Sequence, residues 1–428
     1  MKIEWINHAS FIIETDDIAL ICDPWIEGRV FNNSWSQIAP SVFSYEDFSR
    51  ITHIWFSHEH PDHFFPPNIK SIPEHIRTNI TVLYQKTKDK KVIEFCQKMG
   101  FKTLELMPLN EVRISENVTL INSKVSNDSD SWLYLKSSTG TLLNLNDCVF
   151  SGTKELNQIH TLIGEVDVLF TQFSYANWVG NVSDEASKNK HALEKTEEIK
   201  RNIAVFNPRF TVPFASYVWF CAEENFHMNF HVNTIDDIAK FISNQGSIPV
   251  VMYPGDIWDL ALPIDNQLAI NKYLVDFKEH ITIKDLTQFE YVQVDVLRAS
   301  AESYRERHLR VNNKQKIKSF EPFVAYLSDW EKSISFSYRE GLVLLPESSE
   351  EDADISFPSQ NLKYCFDHDW GWSTIMVAGT FQKPVRGNFR RVEEYQWIST
   401  LNNTGKRMPG FFTRLINYLR NMIHSKRS

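Results

Sequence analysis

Cysteine is scarce in this 428-residue chain: Cys22, Cys96, Cys148, Cys221 and Cys365 lie far apart, and none forms a Cys-x-x-Cys pair. That spacing excludes thiolates as the main metal ligands and offers no disulfide framework, as expected of a reducing compartment. Long apolar runs are missing too, and none approaches the roughly 20 residues that a membrane-spanning helix needs. The opening Met1-Lys2-Ile3-Glu4-Trp5 lacks the apolar region of a secretory signal. Positive charge is in deficit, with 45 Lys and Arg against 54 Asp and Glu and a net charge of −9. This removes the electrostatic basis for nucleic-acid binding. No internal repeat or low-complexity tract occurs. The expectation is a cytoplasmic protein whose partner is a small-molecule substrate, with neither nucleic acid nor membrane; a homo-oligomer is left open.

The composition otherwise describes an ordinary globular chain, 42% hydrophobic and 23% charged, long enough for a large domain with a smaller one appended. Aromatic residues make up 13% of it, including 30 Phe and 12 Trp, and are read chiefly as core mass. Short strand patterns fill the first 150 residues: Ile3–Ile6, Ser10–Glu14, Ile18–Cys22 and the continuously apolar Ile51–Phe56, then Lys102–Leu106, Val118–Ile121, Trp132–Leu135 and Thr141–Leu145. Further strands are expected at Val166–Phe170, Phe210–Phe214 and Ile248–Met252. Helical spacing marks Thr87–Met99, Ser183–Asn202 and Ile235–Ser243. The first domain is expected to occupy residues 1–262, closing near Pro254 to Pro263. A C-terminal α+β module over 283–405 follows, with strands at Phe323–Tyr326, Ile334–Tyr338 and Leu342–Leu345 and a helix at Ser359–Phe366. Residues 410–428 form an amphipathic pattern with a basic polar side, expected to pack against the body.

The strongest chemical signal follows the run Thr52–Phe56: Ser57-His58-Glu59-His60-Pro61-Asp62-His63. His58 and His60 stand two apart, so on an extended stretch their rings point the same way. Pro61 resists helix and turns the chain, bringing Asp62 and His63 back beside the first pair. Imidazole and carboxylate suit zinc, iron and manganese. One or two divalent ions are expected, zinc first, with iron or manganese as alternatives.

Three pieces in order, His8-Ala9-Ser10-Phe11, Asp23-Pro24-Trp25 and His58-x-His60-x-Asp62-His63, resemble the metallo-β-lactamase-fold superfamily and its ascorbate-6-phosphate lactonase-like branch. The resemblance covers about residues 1–260 and implies an α/β fold, the αββα sandwich. It implies that His58 and His60 bind one metal, that Asp62 and His63 face a second, and that Asp147 bridges them. Asp62 would also be the catalytic proton acceptor. His8 and Asp23 would lie near the site, Asp23 as a brace for a ligand. Two family histidines are replaced: Ser123 to Asp130 contains none, and Pro213-Phe214-Ala215-Ser216 stands where the last is expected. Asp128 or Asp130 are candidate substitutes for the first, and Glu223, Glu224, His227 or His231 for the second.

The block Val212–Phe226 is similar to proteins related to the metallo-β-lactamase-like part of CMP-N-acetylneuraminate hydroxylase, with Ala222 where such relatives carry histidine. The Rieske cluster of that hydroxylase needs paired Cys and His ligands, which this sequence does not contain, so its reaction is not carried over. Residues 349–379 faintly resemble a sterol-carrier-like module. The resemblance implies a metal-dependent hydrolase acting on a sugar-derived or nucleotide-sugar metabolite. The alternatives are a di-iron oxygenase on the same fold and a non-catalytic relative. Trp25, Trp35, Trp178 and Trp219 are candidates for substrate stacking near the mouth.

Overall fold

The computed structural model describes residues 1–15, 17–125, 130–346 and 349–408. The chain divides into two compact units. The first comprises Met1–Val179, Asp184–Cys221 and Phe226–Leu286, and the second Gly180–Ser183, Ala222–Asn225 and the residues from Thr287 onward. The expected boundary at 262 therefore falls short. The helix Asn266–Ile283 belongs to the first unit, where Ala269, Ile270 and Tyr273 are buried in its core, and Trp5 donates its indole N–H to Tyr273 at 2.9 Å. The amphipathic segment at 410–428 lies outside the described residues. Among those described, no helix is long and apolar enough to cross a membrane.

Two seven-stranded sheets build the first unit. One runs, in spatial order, Ile257–Asp259, Lys2–Asn7, Ser10–Glu14, Ala19–Cys22, His53–Phe56, Thr81–Gln85 and Lys102–Leu106. The other runs Ile248–Pro249, Phe210–Phe214, Val168–Gln172, Gly140–Asn144, Ser131–Ser137, Thr119–Lys124 and Glu111–Arg113. Side chains alternate across a strand, and the sequence uses both faces. Phe11, Ile13, Leu20, Cys22 and Trp55 enter a core shared with the second sheet. Ile12, Ile21, Ile54 and Phe56 enter a separate core under the helices Pro66–Ser71 and Lys91–Lys98. Phe11 stacks on Phe170 of the second sheet with centroids 4.1 Å apart and meets Phe214 edge-on at 6.1 Å. Helices Thr153–Ile163, Glu185–Phe206 and Ile235–Asn244 contribute Leu156, Ile159, Ile199, Ile203, Ile238 and Ile242 to the same core as the second sheet. This is the αββα sandwich.

Part of each sheet is parallel: Ala19–Cys22 with His53–Phe56, Thr81–Gln85 and Lys102–Leu106 in the first, and Gly140–Asn144 with Val168–Gln172 and Phe210–Phe214 in the second. Their carboxyl ends therefore discharge loops at one edge of the sandwich, the usual place for a site in parallel sheets.

The second unit is α+β. Its four-stranded sheet has the order Gly341–Leu344, Lys332–Ser337, Phe323–Leu327 and Ile355–Phe357. It is accompanied by the helices Val294–Val311, Ser359–Asp367, Gly371–Ala378 and Phe389–Asn403. The helix Val294–Val311 is rich in charge, and its apolar side is narrow: Leu297, Ala301 and Tyr304 are buried.

Candidate metal centre

Strand His53–Phe56 is buried on both faces and delivers Ser57 and His58 into the interior, where both are fully buried. The chain then turns at Pro61, and the N–H groups of His63 and Phe64 bond back to the carbonyl of His60 at 3.0 and 2.7 Å. This turn folds Asp62 and His63 against the first pair: the ring centroids of His58 lie 4.5 Å from His60 and 4.3 Å from His63.

Asp23 braces the cluster from the neighbouring strand end. It takes a left-handed backbone, φ 40°, and its carboxylate accepts four bonds: Ser57 N–H on Oδ1 at 2.7 Å, then Ser57 Oγ at 2.7 Å, Asn146 Nδ2 at 2.6 Å and His63 Nδ1 at 3.0 Å on Oδ2. Because the Ser57 hydroxyl donates to Asp23, its oxygen accepts from His58 Nδ1 at 2.8 Å. Both His58 and His63 are thus tied at Nδ1, which leaves Nε2 as the nitrogen open to a metal. Asn146 and Gln172 were not among the sequence-derived candidates. Their roles depend on a strand-end pairing that sequence spacing does not encode. Gln172 donates to Asp147 Oδ1 at 3.1 Å and to the carbonyl of Ala215 at 3.3 Å.

Three donor groups result, each with its ligand atoms within 4.8 Å of one another: His58, His60 and Asp130; His8, Asp62 and His63; and His58, His63 and Asp147. Asp147 Oδ2 lies 3.2 Å from His63 Nε2, so this carboxylate is shared between the first two groups. Asp130 is buried, with Oδ1 3.6 Å from His58 Nε2. His8 sits in the turn between Lys2–Asn7 and Ser10–Glu14, at φ 38°, with Nε2 3.3 Å from Asp62 Oδ2. The carbonyl of His8 accepts the N–H of Ala215 at 2.9 Å. The position where the last family histidine was expected therefore abuts His8.

The electrostatics suit a cation. Burial pushes His58 well below the ordinary histidine range, and His63 and His60 push it the same way. Burial opposes the charged form of His63 as well, yet Asp62 and Asp147, helped by the bond to Asp23, carry it well above that range. Asp62 is likewise opposed by burial and is held well below the usual carboxylate range by His63 and His8. Three carboxylates converging on one imidazole call for positive charge. Two buried atoms of the same groups, His8 Nδ1 and Asp62 Oδ1, make no hydrogen bond. The four imidazoles and three carboxylates of these donor groups fit a pair of divalent ions.

The remaining sequence candidates fall elsewhere. Asp128 lies outside the described residues. Glu223 is exposed, and His227 sits on the 3-10 helix Phe226–His231. Neither, nor Glu224 or His231, enters a donor group among the described residues, and Ala215, at the expected position, has its N–H on the His8 carbonyl. Trp25, Trp35 and Trp219 are buried in the core and offer no stacking face.

Residues 2–214 match the family model of the beta-lactamase superfamily domain. A Mycobacterium tuberculosis protein named as a Rieske 2Fe-2S iron–sulfur protein is 25% identical over 244 residues, covering 54% of this chain and 46% of that protein. Cytidine monophosphate-N-acetylneuraminic acid hydroxylase of Xenopus laevis is 22% identical over 230 residues, covering 51% of this chain and 38% of the hydroxylase. The matched segment is thus less than half the length of these curated relatives. Among solved structures, one described as a possible metal-dependent hydrolase of Veillonella parvula is 16% identical with a TM-score of 0.45, covering 60% of this chain and 98% of that one.

Proposed function

This chain is a metallo-β-lactamase-fold protein with a beta-lactamase superfamily domain over residues 2–214, and from that premise we propose that it is a metal-dependent hydrolase with a dinuclear centre. His58, His60 and Asp130 would hold one ion, His8, Asp62 and His63 the other, and Asp147 would serve both. The observation that carries this reading is the shared carboxylate: Asp147 groups with His58 of the first set and His63 of the second. Divalent ions in such a site supply Lewis-acid polarisation of a scissile carbonyl or phosphoryl group and acidify water. The chain's own part is to hold the donors rigid through Asp23 and to take up a proton. Asp62 Oδ2 is engaged by His8 and His63 at 3.3 Å each, while Oδ1 is free of hydrogen bonds and is the atom to accept it. A sugar-derived or nucleotide-sugar metabolite is the substrate class in view. The test is metal analysis after loading with zinc, manganese or iron(II), alongside hydrolysis assays on lactone, ester and phosphoester panels. Two ions per chain and turnover abolished by His60→Ala support the reading; a protein that takes up no metal under any loading sinks it.

Asp130 favours a second reading, a di-iron oxygenase. A carboxylate in place of a histidine makes the donor sets richer in oxygen, which suits iron better than zinc. Anaerobically purified protein that contains zinc and no iron would remove this alternative. A non-catalytic role, suggested by Ala215 and Ala222 alone, is less well supported because His8 and Asp130 supply donors to the same cluster.

A further inference from the structure

His60 is the least enclosed of the histidines in the cluster: it is only partly buried, while His8, His58 and His63 are fully so. Among the described residues, its ring is reached by one aromatic side chain from outside the histidine motif. Phe31, buried, meets it edge-on at 6.1 Å between centroids and 61° between planes. The backbone that presents Phe31 is unusual. Phe31, Asn32 and Asn33 are consecutive and all left-handed, with φ of 51°, 57° and 60°. Asparagine tolerates that region, whereas a phenylalanine there is disfavoured, and three non-glycine residues in succession are rarer still. Such a conformation persists only where its surroundings over-determine it. Here the Val30 and Trp35 backbones bond each other at 3.0 and 3.2 Å, Ser34 Oγ closes on the Phe31 carbonyl at 2.6 Å, and Cys221 N–H holds the Ser34 carbonyl at 2.8 Å. Phe31 also packs on Trp35 at 4.4 Å, and Trp35 on Phe220 at 5.3 Å. Strands Trp35–Gln37 and Val218–Phe220 pair beneath the turn.

We propose that the left-handed turn Phe31–Asn33 is a positioning device for the metal centre, in which Phe31 fixes the orientation of the His60 ring and thereby sets the affinity of the His58, His60 and Asp130 group. This rests on the dinuclear reading above. Asp23, Ser57 and Gln172 brace His63, His58 and Asp147 with polar bonds, whereas His60 has Nδ1 directed at His58 Nε2, 2.8 Å away, and a hydrophobic wall at its side. A strained turn locked by its own small ribbon serves that purpose, since it cannot relax away from the ring without breaking the ribbon.

The experiment titrates chelator-treated wild type, Phe31→Leu, Phe31→Ala and Phe31→Tyr with cobalt(II), following its ligand-field absorption, and with zinc by calorimetry. Phe101→Ala, a deletion of similar size in the separate core, serves as the control. Expected is loss of about tenfold or more in affinity for one ion of two in Phe31→Leu and Phe31→Ala, the usual scale for removing a ligand's support. An altered cobalt spectrum should accompany it, with restoration in Phe31→Tyr and no change in Phe101→Ala. Phe31→Leu keeps apolar bulk, so it reports even if the alanine variant unfolds. Wild type binding two ions while Phe31→Leu binds both with unchanged affinity and spectrum overturns the positioning role alone. Wild type that takes up no ion overturns the centre and this role with it.

Discussion

Asp23→Asn tests the bracing of the centre most directly, because it keeps the volume and removes the charge. The wild-type carboxylate accepts one bond on Oδ1, from Ser57 N–H, and three on Oδ2, from Ser57 Oγ, Asn146 and His63. An amide has one oxygen, and it will turn that oxygen toward the three donors. Its NH2 then faces the buried Ser57 N–H, which loses its partner at a cost of about 1–3 kcal/mol. The three retained bonds fall from charge-assisted to neutral, costing roughly a further 0.5–1 kcal/mol each. Allowing for relaxation, apo protein should lose about 3–4 kcal/mol in urea unfolding. The same change loosens Nδ1 of both His58 and His63, so metal affinity should fall by about 10–100-fold. An Asp23→Asn protein with unchanged urea midpoint and unchanged metal affinity would refute the claim that this carboxylate organises the histidines.

Asp130→Ala should leave one ion of two weakly bound, and Asp130→His should restore the second with preference moved toward zinc, both read by metal stoichiometry and competition with a chelator. In the second unit, burial and Arg307 push His308 down to about 3, below the ordinary 6.5 or so. Its folded value is the lower one, so its contribution is complete above pH 6.5 and is lost as pH falls toward 3. By pH 5 that is about 2 kcal/mol, measurable as a urea midpoint that declines with acid and flattens in His308→Gln, which retains a group able to meet Tyr338 Oη, now 2.6 Å from Nδ1. At Gly371 an added Cβ would lie 2.3 Å from the carbonyl oxygen of Tyr364 and 2.7 Å from Cys365 Cα. Gly371→Ala should therefore cost about 2–3 kcal/mol by forcing the helices apart, and a thermal melt with an unshifted midpoint would contradict that close approach.

Strand positions were legible because apolar alternation and apolar runs report burial directly: Ser10–Glu14, Lys102–Leu106 and Phe210–Phe214 coincide with the expected spans. Helices whose buried side is narrow were not. Asn266–Ile283 buries Ala269, Ile270 and Tyr273 but leaves Leu268, Leu274, Val275 and Ile283 exposed, so its apolar residues circle the helix without marking one face, and its omission placed the first boundary at 262.

The histidine motif by itself pointed to a metal site and supplied four of its candidate donors, since their spacing fixes them within one strand end and one turn. Which further candidate donors gather beside these was decided by the tertiary structure. Asp130 and His8 stand 72 and 50 residues from His58 along the chain, Asp130 just before a strand of the second sheet and His8 in a turn of the first. Spacing constrains only neighbours, and it is the carboxyl-end edge of the sandwich, with Ala215 bonded to the His8 turn, that makes neighbours of residues so far apart.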